Sequence, residues 1–176
     1  VTGSIAAYKA AILVRCLVKE GASVRVVMTA AAKEFITPLT MATLAKNPIE
    51  VEFFNPENGD WHSHVSLGEW ADCFVIAPAT ANVCAKLAHG LADDMLTTTV
   101  LACRCPKLIA PAMNTNMYEN PVTQDNLDIL RRYSWEVIEP ASGRLACGAV
   151  GKGKMPEPED LVQHILRHIA LPHDMA

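Results

Sequence analysis

Three side chains of the sequence could take part in a chemical reaction: His64, Asn114 and Cys147. An imidazole can exchange a proton near neutral pH, an amide can hydrogen-bond an anion, and a thiol can donate a proton or act as a nucleophile. Each residue also has an ordinary explanation, as a structural histidine, a turn-forming asparagine or an incidental cysteine in an exposed loop. The elements that position these side chains therefore decide what they can do.

Short apolar runs alternate with helical patterns along the chain. The predicted strands are residues 23–28, 51–54, 73–77, 107–110 and 135–138. The predicted helices are an N-terminal helix ended by Gly21 and residues 37–45, 82–89, 93–103, 121–132 and 158–169. Strands separated by helices are typical of an α/β fold, with a parallel sheet and helices on both faces. Val1 and Thr2 have the pattern of a strand end, and we expect that strand to begin ahead of the chain.

Two helix starts carry more detail. In the N-terminal helix, one face holds the apolar residues Ile5, Tyr8, Ile12, Leu13 and Cys16, and the other holds Lys9, Arg15 and Lys19. This pattern predicts the first face in the core and the lysines and arginine in solvent. Thr37 precedes a proline at the start of its helix, the usual order for an N-cap followed by a first helical residue.

The carboxyl ends of parallel strands form the binding edge of such a sheet. Four predicted turns lie there: residues 2–4, 29–30, 78–82 and 111–117. They are rich in Gly, Ser, Thr and Asn, and Gly3 and Ser4 lead into a helix start that favours a phosphate group. The G-x-G-x-x-G pattern of dinucleotide sites is absent, and no acidic residue is placed to hold a ribose, so a mononucleotide such as FMN is the favoured ligand.

Composition excludes several classes of protein. The 176 residues suit one domain, and 15 Lys+Arg against 19 Asp+Glu give a net charge of −4 without a basic cluster, so we expect no nucleic-acid partner. The longest stretch without an acidic residue, Lys or Arg is residues 73–85, too short to span a membrane. There is no signal-peptide pattern, and several of the six cysteines lie in apolar runs, so we expect a cytoplasmic protein without disulfides.

Other partial motifs do not predict a site. Residues 148–154 match part of a phosphate loop, but Met155 stands where Ser or Thr would bind magnesium. The pairs at 103 and 105 and at 62 and 64 lack zinc-site spacing, and we predict no metal. His164 and His168 share a helix face that we expect to be solvated, and we expect residues 93–94 to cap the following helix.

Residues 111–118, Pro-Ala-Met-Asn-Thr-Asn-Met-Tyr, resemble the P-x-M-N-x-x-M-W signature of the FMN-dependent cysteine decarboxylases. Residues 2–9, 77–82 and 145–148 are similar to the other sequence blocks of that family, in the same order, so the resemblance covers roughly residues 1–169. Tyr118 departs from the usual Trp, and Ala149 stands where related sequences often carry an acidic residue.

The resemblance implies a flavodoxin-like Rossmann fold that binds FMN. Within the family, the chain is most similar to the phosphopantothenoylcysteine decarboxylases, especially the N-terminal part of bifunctional coenzyme A biosynthesis proteins. The implied reaction converts 4′-phospho-N-pantothenoyl-L-cysteine into 4′-phosphopantetheine. The thiol is oxidised to a thioaldehyde, CO₂ leaves, and the resulting ene-thiol is reduced. The implied organisation is one domain over residues 1–170, with a substrate flap at about 140–158 and a tail or linker at 171–176.

The resemblance also assigns roles to individual residues. His64 is implied to act as a base or to orient the substrate thiol, Asn114 to bind the carboxylate, and Met117 to pack beside it. Cys147 is implied to complete the reduction as a proton donor from a mobile, glycine-rich flap. The residues implied to hold FMN are Gly3, Ser4, Ile5, Thr29, Ala79, Thr80, Ala81, Asn82 and Ala112.

The resemblance leaves alternatives open. A peptidyl-cysteine decarboxylase shares most of these motifs, and some regulatory flavoproteins of this kind bind FMN without catalysis. A flavin prenyltransferase is less favoured because it lacks the Asn and flap-Cys pair. The implied partners are further copies of the chain, as a trimer or an assembly of trimers. The resemblance leaves open whether the protein continues into a synthetase domain missing from this sequence or is a decarboxylase alone.

Overall fold

The structure, a computed structural model, describes residues 1–54, 57–59 and 63–169. The α-helices of this part are α1 (Ala7–Lys19), α2 (Pro38–Ala45), α3 (His64–Trp70), α4 (Ala81–Ala88), α5 (Met95–Ala102), α6 (Thr115–Glu119), α7 (Pro121–Arg132) and α8 (Pro158–Leu166). Its strands are β1 (Val26–Val27), β2 (Ile49–Glu50), β3 (Phe74–Ala79), β4 (Lys107–Pro111), β5 (Glu136–Val137), β6 (Ala141–Arg144) and β7 (Val150–Lys154). The predicted tail at 171–176, most of the loop at 55–61 and the histidine at 62 lie outside the described residues.

Parallel strands form the centre of the molecule, as predicted. Strands β3, β4 and β5 pair in that order, and β1 pairs with β2, all in parallel. Ile76, Leu108 and Ile109 are completely buried, as expected for strands covered on both faces. Between the two groups of strands lies Val1, whose amino group donates to Val27 O and whose carbonyl accepts from Thr29 N. The α/β class is therefore confirmed.

Most predicted elements are confirmed, and caps explain their starts. Thr37 accepts from the Thr40 N–H ahead of α2, and Asp94 forms a capping box with Thr97 ahead of α5. Asp93 has a different role, since it pairs with Lys86 on the surface. The strand predicted at 51–54 is wrong, because β2 occupies Ile49–Glu50 instead.

The face predicted for the N-terminal helix is only partly confirmed: Leu13 is buried and Arg15 and Lys19 are exposed as expected, whereas four other residues depart from the prediction. Ile5, Tyr8 and Ile12 are 62%, 57% and 43% exposed, whereas Lys9 is only 4% exposed. The apolar residues that the helix buries are Ala7, Ala10, Leu13, Val14 and Leu17. This face is also apolar, and its two alanines let the helix backbone approach its neighbours closely.

The glycine-rich segment, which the sequence predicted as a flap, contains an antiparallel hairpin of β6 and β7. Gly148 has a φ of +87° in its turn, a conformation that glycine adopts without strain. The part of this segment that resembles a phosphate loop runs along β7 and does not join a strand to a helix. This geometry differs from that of a phosphate loop, in agreement with the prediction that the segment is not a nucleoside triphosphate site.

The helix face that carries His164 and His168 makes more contacts than the sequence predicted. His164 and His168 are not merely solvated, since they hydrogen-bond the two carboxylate oxygens of Glu136, which lowers the pKa of that carboxyl against the raising effect of burial. Within the described ranges, no three His, Cys, Asp or Glu side chains are grouped to hold a metal ion. None of the described helices is both long enough and apolar enough to cross a bilayer.

Gly153 provides a test of how the hairpin is seated. Its φ is +133°, and a Cβ there would lie 2.1 Å from Met113 O. We expect Gly153→Ala to lower the free energy of unfolding by about 2 kcal/mol or more, measured by denaturant titration. The matched control is Gly143→Ala in β6, where a Cβ would lie 3.7 Å from the Lys154 side chain at an ordinary φ. If both substitutions lowered the free energy of unfolding equally, the close packing of Gly153 against Met113 would be contradicted.

Candidate active site

The four predicted turns meet at one edge of the sheet. The buried Thr2 hydroxyl donates to Pro78 O at 2.7 Å and accepts from Thr80 N at 3.2 Å, which joins the first turn to the third. Ala112 N donates to Ala79 O at 3.0 Å, which joins the third turn to the fourth. The sequence placed Thr2 in a turn but did not predict this bridging role.

The second turn also packs against the first. A Cβ on Gly3 would lie 2.7 Å from Ala31 Cβ, so only glycine permits this approach. Thr29 is buried, donates its N–H to Val1 O and accepts from Ala32 N through its hydroxyl. The edge therefore presents a row of four turns with short side chains, in the spatial order Thr29, Thr2, Ala79 and Ala112.

Two helices start at this edge. Ser4 precedes α1 and accepts from Ala6 N at 3.2 Å, and Thr80 caps α4 by accepting from Val83 N at 3.2 Å. Ala81 and Asn82 form the first turn of α4. Helix starts carry partial positive charge and free N–H groups, so these two are suited to anionic or polar groups of a ligand.

Asn114 and Cys147 lie within hydrogen-bonding distance of each other. Asn114 Oδ1 accepts from Asn116 N at 2.8 Å and so caps α6, which fixes the orientation of the amide. Its Nδ2 then donates to Cys147 Sγ at 3.5 Å. The amide thus serves both as the cap of α6 and as a donor to the Cys147 thiol.

The Cys147 thiol is exposed, unlike the buried Cys84 and Cys103. The N–H of Ala149 and then the amide of Asn114 hydrogen-bond its sulfur and lower the pKa of the thiol below its usual value. Burial has the opposite effect on Cys84, whose pKa it raises to about 12. Cys147 is therefore the better proton donor and the more readily formed thiolate.

His64 does not take part in the Asn114–Cys147 contact. It begins α3 after the cap Ser63, and its ring meets Phe53 edge-on with centroids 5.9 Å apart. His64 Nδ1 is buried and has no hydrogen-bond partner in the described ranges. Among the described residues, no hydrogen bond connects His64 with Asn114 or Cys147.

The remaining candidates differ in exposure. Met117 is 49% exposed on α6, whereas Ala79 is completely buried. Thr115, which was not predicted, has a buried hydroxyl without a hydrogen-bond partner in the described ranges, next to Gly151 of β7. Its position beside Asn114 was the signal available in the sequence.

The Glu139 carboxylate, two residues before β6, is bonded to other elements of the fold. The Tyr118 hydroxyl donates to Glu139 Oε2 at 2.9 Å, and Arg131 donates to Glu139 Oε1 at 3.0 Å. Lys152 of β7 lies 4.0 Å from the same carboxylate. Burial first and then Glu139 raise the pKa of Tyr118 to about 12, so its hydroxyl stays protonated and continues to donate.

Comparison with known proteins identifies the family of this chain. Residues 1–170 match the family described as Flavoprotein. The chain belongs to the Flavoprotein family. It is 47% identical to the coenzyme A biosynthesis bifunctional protein CoaBC of Bacillus subtilis over 97% of this chain, and it spans 42% of that relative's length. It is also 47% identical to a probable phosphopantothenoylcysteine decarboxylase of Streptococcus mutans, over 94% of this chain and 93% of that protein.

Solved structures of Flavoprotein relatives have the same fold. One is a cysteine-to-serine mutant of PPC decarboxylase complexed with pantothenoylaminoethenethiol, with a TM-score of 0.81, 34% identity and coverage of 93% of this chain and 92% of that one. Another is the FMN-dependent cysteine decarboxylase SpaF, with a TM-score of 0.78, 34% identity and coverage of 93% and 90%. The flavodoxin-like arrangement expected from the sequence is confirmed.

Proposed function

We propose that this chain binds FMN and decarboxylates 4′-phospho-N-pantothenoyl-L-cysteine to 4′-phosphopantetheine. The observation that carries the proposal is the Asn114 amide directed at the Cys147 thiol beside the row of turns. An amide donor suits a carboxylate, and an acidic thiol suits protonation of a carbon, which are the two protein tasks in this reaction. The Streptococcus mutans relative, matched over nearly its whole length, has a name that agrees with this activity.

The residues at the sheet edge fit FMN. Gly3, Ser4 and Ile5 precede α1 and would hold a phosphate, while Ala79, Thr80, Ala81 and Asn82 surround the start of α4. Thr29 and Ala112 close the row at its two sides. The buried His64 Nδ1 and Thr115 Oγ1, with no partner in the described ranges, are polar atoms that a bound polar group could satisfy.

The reaction exchanges CO₂ for a proton without net oxidation. When bound, FMN supplies the electron acceptor and donor needed for oxidation of the thiol to a thioaldehyde and for the later reduction of the ene-thiol. The C=S group lies beta to the carboxylate and receives the electron pair of the broken C–C bond.

The side chains have separate tasks in this scheme. Asn114 Nδ2 binds the substrate carboxylate and holds the C–C bond that breaks, while Met117 packs beside it. Cys147 donates the proton that completes the ene-thiol reduction, and its lowered pKa makes the donation easier. His64 orients or deprotonates the substrate thiol through the nitrogen that has no protein partner.

The closing experiment uses purified protein with two substrates. We expect flavin absorbance, CO₂ release from 4′-phospho-N-pantothenoyl-cysteine, and none from a peptide with a C-terminal cysteine. His64→Asn should keep the bound flavin and lose turnover. Release from the peptide alone would instead identify a peptidyl-cysteine decarboxylase, and bound flavin without release from either substrate would identify a regulatory flavoprotein. Colourless protein that cannot be reconstituted with FMN would contradict all three functions.

The exposed apolar face of α1 supports an oligomer. Ile5, Tyr8 and Ile12 present apolar surface next to the Gly3–Ser4 turn, and burying it against other copies would be favourable. We propose a trimer or an assembly of trimers, and light scattering should give a multiple of three chain masses. Ile12→Glu should lower that mass, whereas the mass of a single chain for the unmodified protein would contradict the assembly.

Two further proposals concern organisation and location. Residues 1–170 would form one FMN-binding domain with its substrate-covering segment at about 140–158. The domain would either continue into a synthetase domain in a longer protein, consistent with the bifunctional relative of which the chain spans 42%, or act alone, consistent with the Streptococcus mutans relative of which it spans 93%. The six free cysteines suit a reducing compartment, and the proposed location is the cytoplasm.

A further inference from the structure

Lys9 is a charged side chain buried beneath the hairpin, and the proposed reaction gives it no task. Its Nζ donates to Met155 O at 2.8 Å and to Glu157 Oε1 at 3.0 Å. A buried ammonium group is costly unless both its charge and its hydrogens are satisfied, so this position is specifically built. The hydrogen bond from Lys9 is the main cause that lowers the pKa of Glu157.

The main-chain acceptor shows what Lys9 holds. Met155 follows directly after β7, and its side chain is 1% exposed in the same cluster as Leu13 and Leu17 of α1. Lys9 therefore fixes the backbone of the hairpin's exit against the helix that follows the Gly3–Ser4 turn. A surface ion pair between two side chains would not fix a backbone position in this way.

The same short segment is bonded on its other side to the Asn114 turn. Met113 N donates to Gly153 O at 3.0 Å, two residues before Met155. Gly151 packs against Thr115, with a Cβ position only 2.7 Å from its hydroxyl oxygen. Strand β7 is thus held between α1 and the residues next to Asn114.

We propose that Lys9 is a positioning residue, which holds β7 through Met155 and Glu157 and thereby sets the approach of Cys147 to Asn114. Its catalytic consequence rests on the proposed function, whereas its effect on the hairpin does not. Lys9 thus acts as a buried cation that fixes the position of the substrate-covering segment.

Hydrogen exchange provides a direct test in Lys9→Met, which keeps an unbranched apolar stem without the charge. The Met113 amide reports docking of β7, and the Ala112 amide, bonded to Ala79 O, reports the sheet. We expect Met113 to exchange about tenfold faster or more while Ala112 changes by less than about twofold. Unchanged Met113 exchange, or equal acceleration of both amides, would overturn the proposal.

The reactivity of Cys147 gives a second readout. Alkylation of the Cys147 peptide, followed against pH by mass spectrometry, should show its pKa rising in Lys9→Met towards the ~8.5 of a free thiol. The control is Lys86→Met, which removes a surface pair with Asp93 and should change neither readout. If Lys9→Met does not fold, Glu157→Gln should accelerate Met113 exchange in the same direction by a smaller factor, and no acceleration there would overturn the proposal.

The two proposals fail separately. A wild-type protein without decarboxylase activity whose Met113 exchange and Cys147 pKa respond to Lys9→Met would support the positioning role and refute the function. An active wild type whose two readouts ignore Lys9→Met would refute the positioning role alone. In an active enzyme, we expect kcat to fall in Lys9→Met while the affinity for FMN stays within about twofold.

Discussion

Asn114→Asp is expected to abolish decarboxylation while the fold survives. Aspartate is as good an N-cap as asparagine, so its oxygen can still accept from Asn116 N and preserve α6. The amide donor, however, becomes an anionic oxygen that faces the substrate carboxylate. Two like charges about 4 Å apart repel by about 4 kcal/mol at the effective dielectric of a partly buried site, so kcat/KM should fall by about 10³-fold.

The same substitution should move the thiol in a defined direction. It removes one hydrogen bond to Cys147 Sγ and adds a neighbouring negative charge, and both changes disfavour the thiolate. The pKa of Cys147 therefore rises, and its alkylation profile shifts to higher pH. Mass-resolved alkylation rates measure the shift, and steady-state CO₂ release measures the activity.

Asn120→Asp is the matched control. Asn120 caps α7 by accepting from Val122 N at 3.0 Å, and its side chain takes no part in the proposed site. It makes the same change of residue and of net charge at another helix start. Activity and Cys147 pKa should stay near wild type, and turnover retained by Asn114→Asp would remove Asn114 from the carboxylate-binding role.

Cys147→Ser is expected to stop the reaction after CO₂ has left. A serine hydroxyl occupies similar space but is a far weaker acid, so the proton needed to reduce the ene-thiol arrives slowly. Formation of 4′-phosphopantetheine should fall by about 10²-fold or more, and a product lacking two hydrogen atoms should accumulate. The solved relative with a cysteine-to-serine change is itself complexed with an aminoethenethiol compound.

Mass spectrometry of quenched reactions distinguishes the outcomes for this variant. Cys105→Ser is the control, because Cys105 is half-buried at the start of β4 and away from the hairpin. It should form the reduced product at the wild-type rate. Full production of 4′-phosphopantetheine by Cys147→Ser would exclude Cys147 as the proton donor.

Much of the fold could be predicted because local signals and tertiary packing agree. Helix α7 was predicted over its full observed length because a proline starts it and a strong apolar period runs through it. Helices α3 and α6 were missed, since 7 and 5 residues are too few to show a period. Strand β2 was misplaced because its 2 residues show no strand pattern of their own. They form a strand because the fold places them beside β1.

The candidate site was predictable to the extent that topology determines it. Turns at the carboxyl ends of parallel strands must share an edge, so the row from Thr2 to Ala112 followed from the strand order. Burial of Lys9 did not follow, because its partners lie 146 and 148 residues away. The Asn114–Cys147 contact was not predictable either. It depends on the β6–β7 hairpin, whose glycine-containing strands show no alternating apolar pattern in the sequence.

The Tyr118–Glu139 hydrogen bond makes position 118 part of a small charged network. Glu139 accepts from the Tyr118 hydroxyl and from Arg131, and Lys152 of β7 lies 4.0 Å from the same carboxylate. An indole N–H leaves its ring at a different place from a phenol hydroxyl, so a tryptophan introduced at position 118 would not donate to Glu139 in the same geometry. The carboxylate would keep its two cationic neighbours and lose its neutral donor, so its hold on the start of the hairpin would depend on charge pairs that salt weakens.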